Sequence, residues 1–307
     1  MTKYILQRLF RSIPVIFGVT VLVYSMLEFL PGDPVLYMFR GAAISAANIA
    51  RAREALGLDL PVHIRYLRWL GNALRGDLGV SVAASRPVFE LIVTVFPQTI
   101  KLTLFSIVVA VLLGMPAGTV AAIKQNSWLD TLSMVFTTVG VSMPLFWIGL
   151  LVLWFFAVQH RWFPVAGGYG WKGLILPGLT MGVRSSCLIA RLTRSSMLEV
   201  LRQDYLTTAR AKGLAERVVL LRHAMKNALI PVLTVVGLQI GWMLGGAVIV
   251  ESVFARPGIG QLTVIAIQAH DFPVVQGAIL LAAVTYVSVN LVVDVCYMHL
   301  DPRIHYE

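Results

Sequence analysis

Six apolar stretches decide what this chain can fold into: Ile13–Leu30, Ile100–Ile123, Leu132–Val158, Leu174–Ala190, Ala228–Val250 and Val274–Tyr297. A helix needs about 20 largely apolar residues to cross a bilayer. In lipid the backbone must satisfy its own polar groups, which leaves helices as the reading for segments of this length. Composition agrees: 58% of the 307 residues are hydrophobic and 13% charged, and the mean hydropathy is +0.79. A water-soluble fold of this size has too little interior to hide so much apolar surface. The expected fold class is an all-α polytopic membrane protein with six transmembrane helices. The fourth stretch is the weakest, because Arg184 interrupts it.

The first stretch follows Lys3, Arg8 and Arg11, as the h-region of a signal peptide would. It runs into Glu28-Phe-Leu-Pro-Gly-Asp-Pro34 without a small-x-small cleavage pattern, so a retained first helix is expected. With the N-terminus inside, the short inner segments hold Lys3, Arg8, Arg11, Lys124, Arg191, Arg194, Arg202, Arg210, Lys212, Arg217, Arg222, Lys226 and Arg303. The short outer loops hold Arg161, Lys172 and Arg256. That asymmetry predicts six spans with both termini in the cytoplasm. The net charge of +10 follows from this bias and from anionic headgroups, and it predicts no nucleic-acid partner. Cys187 and Cys296 both fall inside predicted spans and read as apolar packing.

The extracytoplasmic segment from Gly32 to Pro97 patterns as two helices. Ser45 caps one that runs to Leu56, with Gly57 closing it. Pro61 opens the other, where Leu67, Leu70 and Leu74 share a face. That face suits either the outer leaflet or an external partner. The third apolar stretch spans about 40 Å as a straight helix, more than the roughly 30 Å hydrocarbon core, and Pro144 is placed to kink it. Gly237, Gly241 and Gly245 recur every four residues in the fifth stretch, and Gly114 and Gly118 repeat the spacing in the second. Such stripes allow close helix approach, within the chain or against a second subunit. A central arginine costs about 2.5–3.5 kcal/mol on insertion scales, so Arg184 should face a cavity or a partner. One reading makes it a pathway cation for a cargo carboxylate, the other a structural ion pair.

Between the fourth and fifth stretches lies Glu199-Val-Leu-Arg-Gln-Asp-Tyr-Leu-Thr-Thr-Ala-Arg-Ala-Lys-Gly213. Arg202–Lys212 reads as a short helix stopped by Gly213. A second helix begins after Leu214, with Leu214, Val218, Leu221 and Met225 in one apolar stripe. The first helix has a small apolar face of Tyr205, Leu206, Ala209 and Ala211, a shape suited to a groove on another protein. A structured basic hairpin between two spans is expected to receive a mechanical input.

Asp204-Tyr-Leu-Thr-Thr-Ala-Arg-Ala-Lys-Gly213, with Asn227-Ala-Leu-Ile-Pro231 downstream, resembles the cytoplasmic EAA-type loop of ABC-importer permeases, most closely the dipeptide/oligopeptide/nickel branch. The resemblance extends over nearly the whole chain. Leu30-Pro-Gly-Asp-Pro34, Gly76-Asp-Leu-Gly-Val-Ser81, Ser142-Met-Pro-Leu-Phe146, Ala190-Arg-Leu-Thr-Arg194, Pro257-Gly-Ile-Gly260 and Asp301-Pro-Arg303 match in order. The region His223-Ala-Met-Lys226, with its proline only at Pro231, departs from the general permease pattern as the peptide branch does.

The resemblance implies a type I importer permease fold, in which the last five helices form the shared core. It implies an N-terminal part over 1–97, a core over 98–300 carrying the hairpin at 199–227, and a tail over 301–307. The short N-terminal lead into helix one is similar to the first of the two permease subunits such systems use. The implied partners are a second homologous permease, two cytoplasmic ATPases that grip the hairpins, an extracytoplasmic solute-binding protein and the bilayer of a bacterial inner membrane. Asp204, Tyr205, Thr208, Ala209, Ala211 and Gly213 would form the coupling helix. ATP and magnesium would bind the partner ATPases, and no cofactor is expected in this chain.

Enzymatic signatures are missing from the sequence: no GxxxxGK[ST], no HExxH, no GxSxG, and six histidines without metal-ligand spacing. A non-catalytic subunit is therefore expected. A secondary transporter would need midplane carboxylates and inverted repeats, and a channel would need a charge ring; neither pattern is present. The expected cargo is a dipeptide or other short peptide, with glutathione and chelated nickel as alternatives.

Overall fold

The computed structural model describes residues 2–28, 60–166 and 168–300. The described residues are almost entirely helical: α1 (Thr2–Glu28), α2 (Val62–Leu74), α3 (Val88–Ile123), α4 (Trp128–Ser142), α5 (Leu145–Leu153), α6 (Lys172–Leu201), α7 (Asp204–Ala211), α8 (Glu216–Val253), α9 (Ile259–Gln268) and α10 (Phe272–Leu300). Five of them, α1, α3, α6, α8 and α10, are long and apolar enough to cross a membrane, and the bent pair α4–α5 makes a sixth when counted as one span. The expected helix at Ser45–Leu56 and the motif Leu30–Pro34 lie outside the described residues, as do the tail from Asp301 and the side chain of Cys296.

Two compact units divide the chain. One comprises Met1–Pro97 with Pro257–Val287, the other Gln98–Arg256 with Ser288–Glu307. In the first unit, α2 begins after Pro61, as its fixed φ favours. The face it applies to α1 is aromatic. The Tyr66 ring lies 5.5 Å from Tyr24 and its hydroxyl 2.8 Å from Thr20 Oγ1, while Trp69 lies 5.7 Å from Tyr24. Leu67 and Leu74 stay exposed. The Gly76–Ser81 motif is a loop whose Gly76 and Gly79 adopt φ of +85° and +84°. It is clamped by buried Asp271, which accepts hydrogen bonds from Ser81 Oγ at 2.5 Å and from the amides of Val82 and Ala83 at 3.2 and 3.1 Å. Val88, Ile92, Ala266, Val274 and Val275 form the core beneath it.

In the second unit α6 is the central helix, with 67% of its apolar window buried. It crosses α3 at a glycine contact. A Cβ on Gly114 would lie 2.7 Å from the Ser186 carbonyl oxygen, and one on Gly182 would lie 2.9 Å from that of Ser106. Gly118 meets Ala190 and Thr193, and Gly178 meets Phe105. The stripe at Gly114 and Gly118 therefore serves packing within the chain, and its counterpart on α6 went unread in the sequence. The stripe in α8 is divided. Gly237 abuts Val293 of α10, Gly241 is buried, and Gly245 faces open space.

The third apolar stretch bends at Pro144, as expected, but far more sharply than a simple kink. It breaks between α4 and α5, which bend by 105°. Pro144 has no N–H for the Gly140 carbonyl and forces Met143 into extended backbone, with ψ 134°. Ser127 caps α4 and Asp130 closes the same turn by accepting from the Asn126 amide at 3.0 Å. Arg194 of α6 donates two hydrogen bonds to this Asp130, at 2.5 and 2.7 Å. Thr99 donates to buried Glu251 at 2.6 Å, and buried Arg256 donates to the Gln98 side chain and the Gly168 carbonyl, both at 3.1 Å.

Candidate functional site

The hairpin between α6 and α8 is built by two local stops. Arg202 caps α6, and Gln203 turns extended (ψ 141°), so the short helix α7 starts at Asp204 rather than at Arg202. An acidic residue in that first turn suits the positive end of the helix dipole. At the other end Gly213 takes φ +78°, a left-handed conformation that a glycine adopts without a Cβ penalty. Its amide bonds back to the Arg210 carbonyl at 2.9 Å. Arg210 and Glu216 straddle this turn in a two-pronged ion pair, at 3.1 and 3.0 Å. By accepting these bonds the Glu216 carboxylate raises the pKa of the Arg210 guanidinium.

Only part of the small apolar face points outward. Leu206 and Ala209, one turn apart, are buried in a core with Ala122, Met197, Val219, Ala224 and Ala228. Ala209 is small because its own chain packs over it. Asp204, Tyr205, Thr208, Ala211 and Gly213 are exposed, with Tyr205 at 40%. The surface of α7 is thus a polar ridge of Asp204, Thr208 and Lys212 with Tyr205 and Ala211 as its apolar elements.

The second helix differs from its predicted register. Val219–Ala224 is a π-helical segment. The wider π turn shifts the register, so Val219, Ala224 and Ala228 are buried and Met225 packs partly against them, while Leu214, Val218 and Leu221 are exposed.

Hydrogen bonds tie the two adjoining spans to each other and α7 to α8. Ser196 of α6 donates to the Ala228 carbonyl of α8 at 2.8 Å. Asn227 of α8 donates to the Tyr205 hydroxyl at 2.8 Å, and Tyr205 donates to the His223 carbonyl at 3.3 Å. Sequence reasoning assigned no role to Ser196, Asn227 or Glu216. The opposite charges of Arg210 and Glu216 on either side of a glycine were the signal available for one of these contacts.

Arg184 is not part of this site. It sits 15 residues before Glu199 on α6, about 22 Å away along the helix axis. Its guanidinium lies 4.5 Å from the Trp242 ring centroid, and its Nε is buried without a hydrogen-bond partner.

Comparison with known proteins gives consistent findings. Residues 114–306 match the family described as binding-protein-dependent transport system inner membrane component. Residues 1–103 match the N-terminal component of the same kind of system. The glutathione transport system permease protein GsiC of Escherichia coli K12 is 43% identical over 307 residues, covering 100% of both chains. GsiC of Salmonella paratyphi A is 43% identical with the same coverage. Among solved structures, an amino acid ABC transporter is similar over 68% of this chain and 94% of its own, with a TM-score of 0.57 at 16% identity. The methionine ABC transporter MetNI is similar over 69% of this chain and 96% of its own, with a TM-score of 0.59 at 16% identity.

Proposed function

The chain belongs to the binding-protein-dependent transport system inner membrane component family, and from that premise we propose that it forms half of an ATP-driven import pathway for short peptides. It is a multi-pass ABC-importer permease subunit that works with ATPase and binding-protein partners. The proposal adds the arrangement. A second homologous permease completes the pathway, two ATPases hold the cytoplasmic hairpins, and both termini of this chain lie in the cytoplasm. ATP and magnesium bind and react on the ATPases, and this chain carries no cofactor. Asp204, Tyr205, Thr208, Ala211 and Gly213 form the surface that seats on an ATPase, and Ala209 supports that surface from below. The cargo class is short peptides. The tripeptide glutathione is the first to test, because the GsiC relatives are named for it.

One observation carries this reading. Helix α7 presents an exposed ridge while its underside packs against Met197 of α6 and Val219, Ala224 and Ala228 of α8, and Tyr205 is hydrogen-bonded to Asn227 of α8. A force applied to the ridge passes directly into two membrane helices. A loop that only joined two spans would not need the Leu206 core or the Asn227–Tyr205 bond.

Purification from native membranes in mild detergent tests the proposal. Recovery of a second permease and two ATPases with the chain, and ATP-dependent glutathione or dipeptide uptake by the reconstituted assembly, is the expected result. Recovery of the chain alone as a homo-oligomer would overturn it.

A further inference from the structure

Arg184 stands near the middle of α6 and Trp242 near the middle of α8, both in the second unit. The guanidinium carbon lies 4.5 Å from the indole centroid, and Nε is buried without a hydrogen-bond partner. The contact fixes the cation without neutralising it. Arginine has five N–H donors in a planar fork, and a contact with a ring supplies none of them with a hydrogen-bond acceptor.

The surface around the pair is open. Trp242 is 42% exposed, and Gly245, one turn further along α8, has nothing within 4 Å of the place a Cβ would occupy. On α6, Leu188 and Arg191 continue the face of Arg184 at i+4 and i+7, and both are exposed. Arg191 lies about 10 Å from Arg184 along the helix, toward the end that carries the hairpin. A face with two such cations is poorly suited to lipid, since intramembrane charges face a bundle interior or a water-filled cavity.

Resting on the peptide-importer reading above, we infer that Arg184, seated on Trp242, is a subsite for the carboxylate of the transported peptide, with Arg191 the next cation along its route. Arg184 supplies the charge-assisted, two-pronged contact, and Trp242 is a positioning residue that holds the fork edge toward the pathway. The two cations stand about 10 Å apart along α6, so a carboxylate meets one of them at a time, which favours capture and release over tight retention.

The test uses the complete importer with its binding protein in proteoliposomes, and compares initial uptake of glutathione and trialanine with uptake of the fully amidated form of each. The binding protein is unchanged throughout, so a change in the acid-to-amide ratio on altering this chain reports the permease alone. Arg184→Gln should lower that ratio about tenfold, in line with loss of one charge-assisted hydrogen-bonded contact. Arg184→Lys should keep most of it. Trp242→Leu should lower the ratio while leaving the arginine in place, which keeps the test decisive even where Arg184→Gln assembles poorly. An unchanged ratio in both Arg184→Gln and Trp242→Leu would overturn the subsite. So would equal slowing of acid and amide, or separation of the two permeases, which would mark Arg184 as a structural partner. If the unaltered importer moves neither tripeptide, the peptide reading fails and the subsite falls with it; a ratio unchanged by both substitutions in a working importer overturns the subsite alone.

Discussion

Asn227, at the start of the fifth apolar stretch, donates a hydrogen bond to the hydroxyl of Tyr205 at 2.8 Å. That bond joins the helix that would be gripped to the helix that would be moved. Both side chains are exposed, so its contribution to folding is modest and its mechanical role is the more visible one. Tyr205→Phe removes the acceptor and Asn227→Ala the donor. Each should cost about 1 kcal/mol of coupling, or about a fivefold fall in cargo moved per ATP hydrolysed, with normal assembly. The double variant should be no worse than the worse single one, since one bond is being removed twice. Parallel uptake and phosphate-release measurements on the reconstituted importer check this.

Leu206 is fully buried under α7. Leu206→Ala should cost about 2–5 kcal/mol locally, enough to loosen the hairpin while the membrane helices remain packed. Limited proteolysis should then cut within 199–227 in the variant at protease levels that leave the unaltered chain intact. Equal resistance of the two would show that the hairpin is held by something other than this core.

Arg194 and Asp130 form the ion pair that ties α6 to the first turn of α4, with side-chain exposures of 22% and 6%. Removing one partner strands the other in a poorly hydrated site. Asp130→Ala should lower stability by about 3 kcal/mol, and Asp130→Ala with Arg194→Leu should recover part of the loss. Thermal unfolding of the detergent-purified importer gives the comparison.

The glycines separate packing within the chain from packing between chains. Gly118→Ala drives a methyl group into Ala190 and Thr193 and should prevent the α3–α6 crossing, with little protein recovered from membranes. Gly245→Ala enters open space and should be tolerated at ordinary yield. Membrane yield and monodispersity of the two variants are the readouts.

The apolar stretches were legible because helix length and hydropathy are local properties, and the Gly213 stop was legible because a left-handed residue has a compositional mark. The register of α8 was not. A π-helical segment at Val219–Ala224 leaves no trace in the residue pattern, so the predicted stripe of Leu214, Val218 and Leu221 lies on the exposed side. Pro144 announced a bend but not a break of 105°. The size of a bend depends on what the two halves pack against, and that is a tertiary property. Ala209 illustrates the limit at the site itself. Its smallness fits a partner's groove and its own chain's core equally well in sequence, and only the packing of Met197 and Val219 distinguishes the two. The Arg184–Trp242 contact brings together residues 58 positions apart, beyond any local pattern.

The most direct test of the central claim is a photo-crosslinking amino acid placed at Thr208, on the exposed ridge of α7, in the importer within native membranes. A parallel probe at Leu112, on an exposed apolar face of α3, serves as the control. The account predicts an adduct between position 208 and a nucleotide-binding ATPase subunit, and no such adduct from position 112. Failure to capture an ATPase from position 208 in a transport-competent assembly would contradict the claim that this hairpin is where ATP hydrolysis reaches the membrane helices.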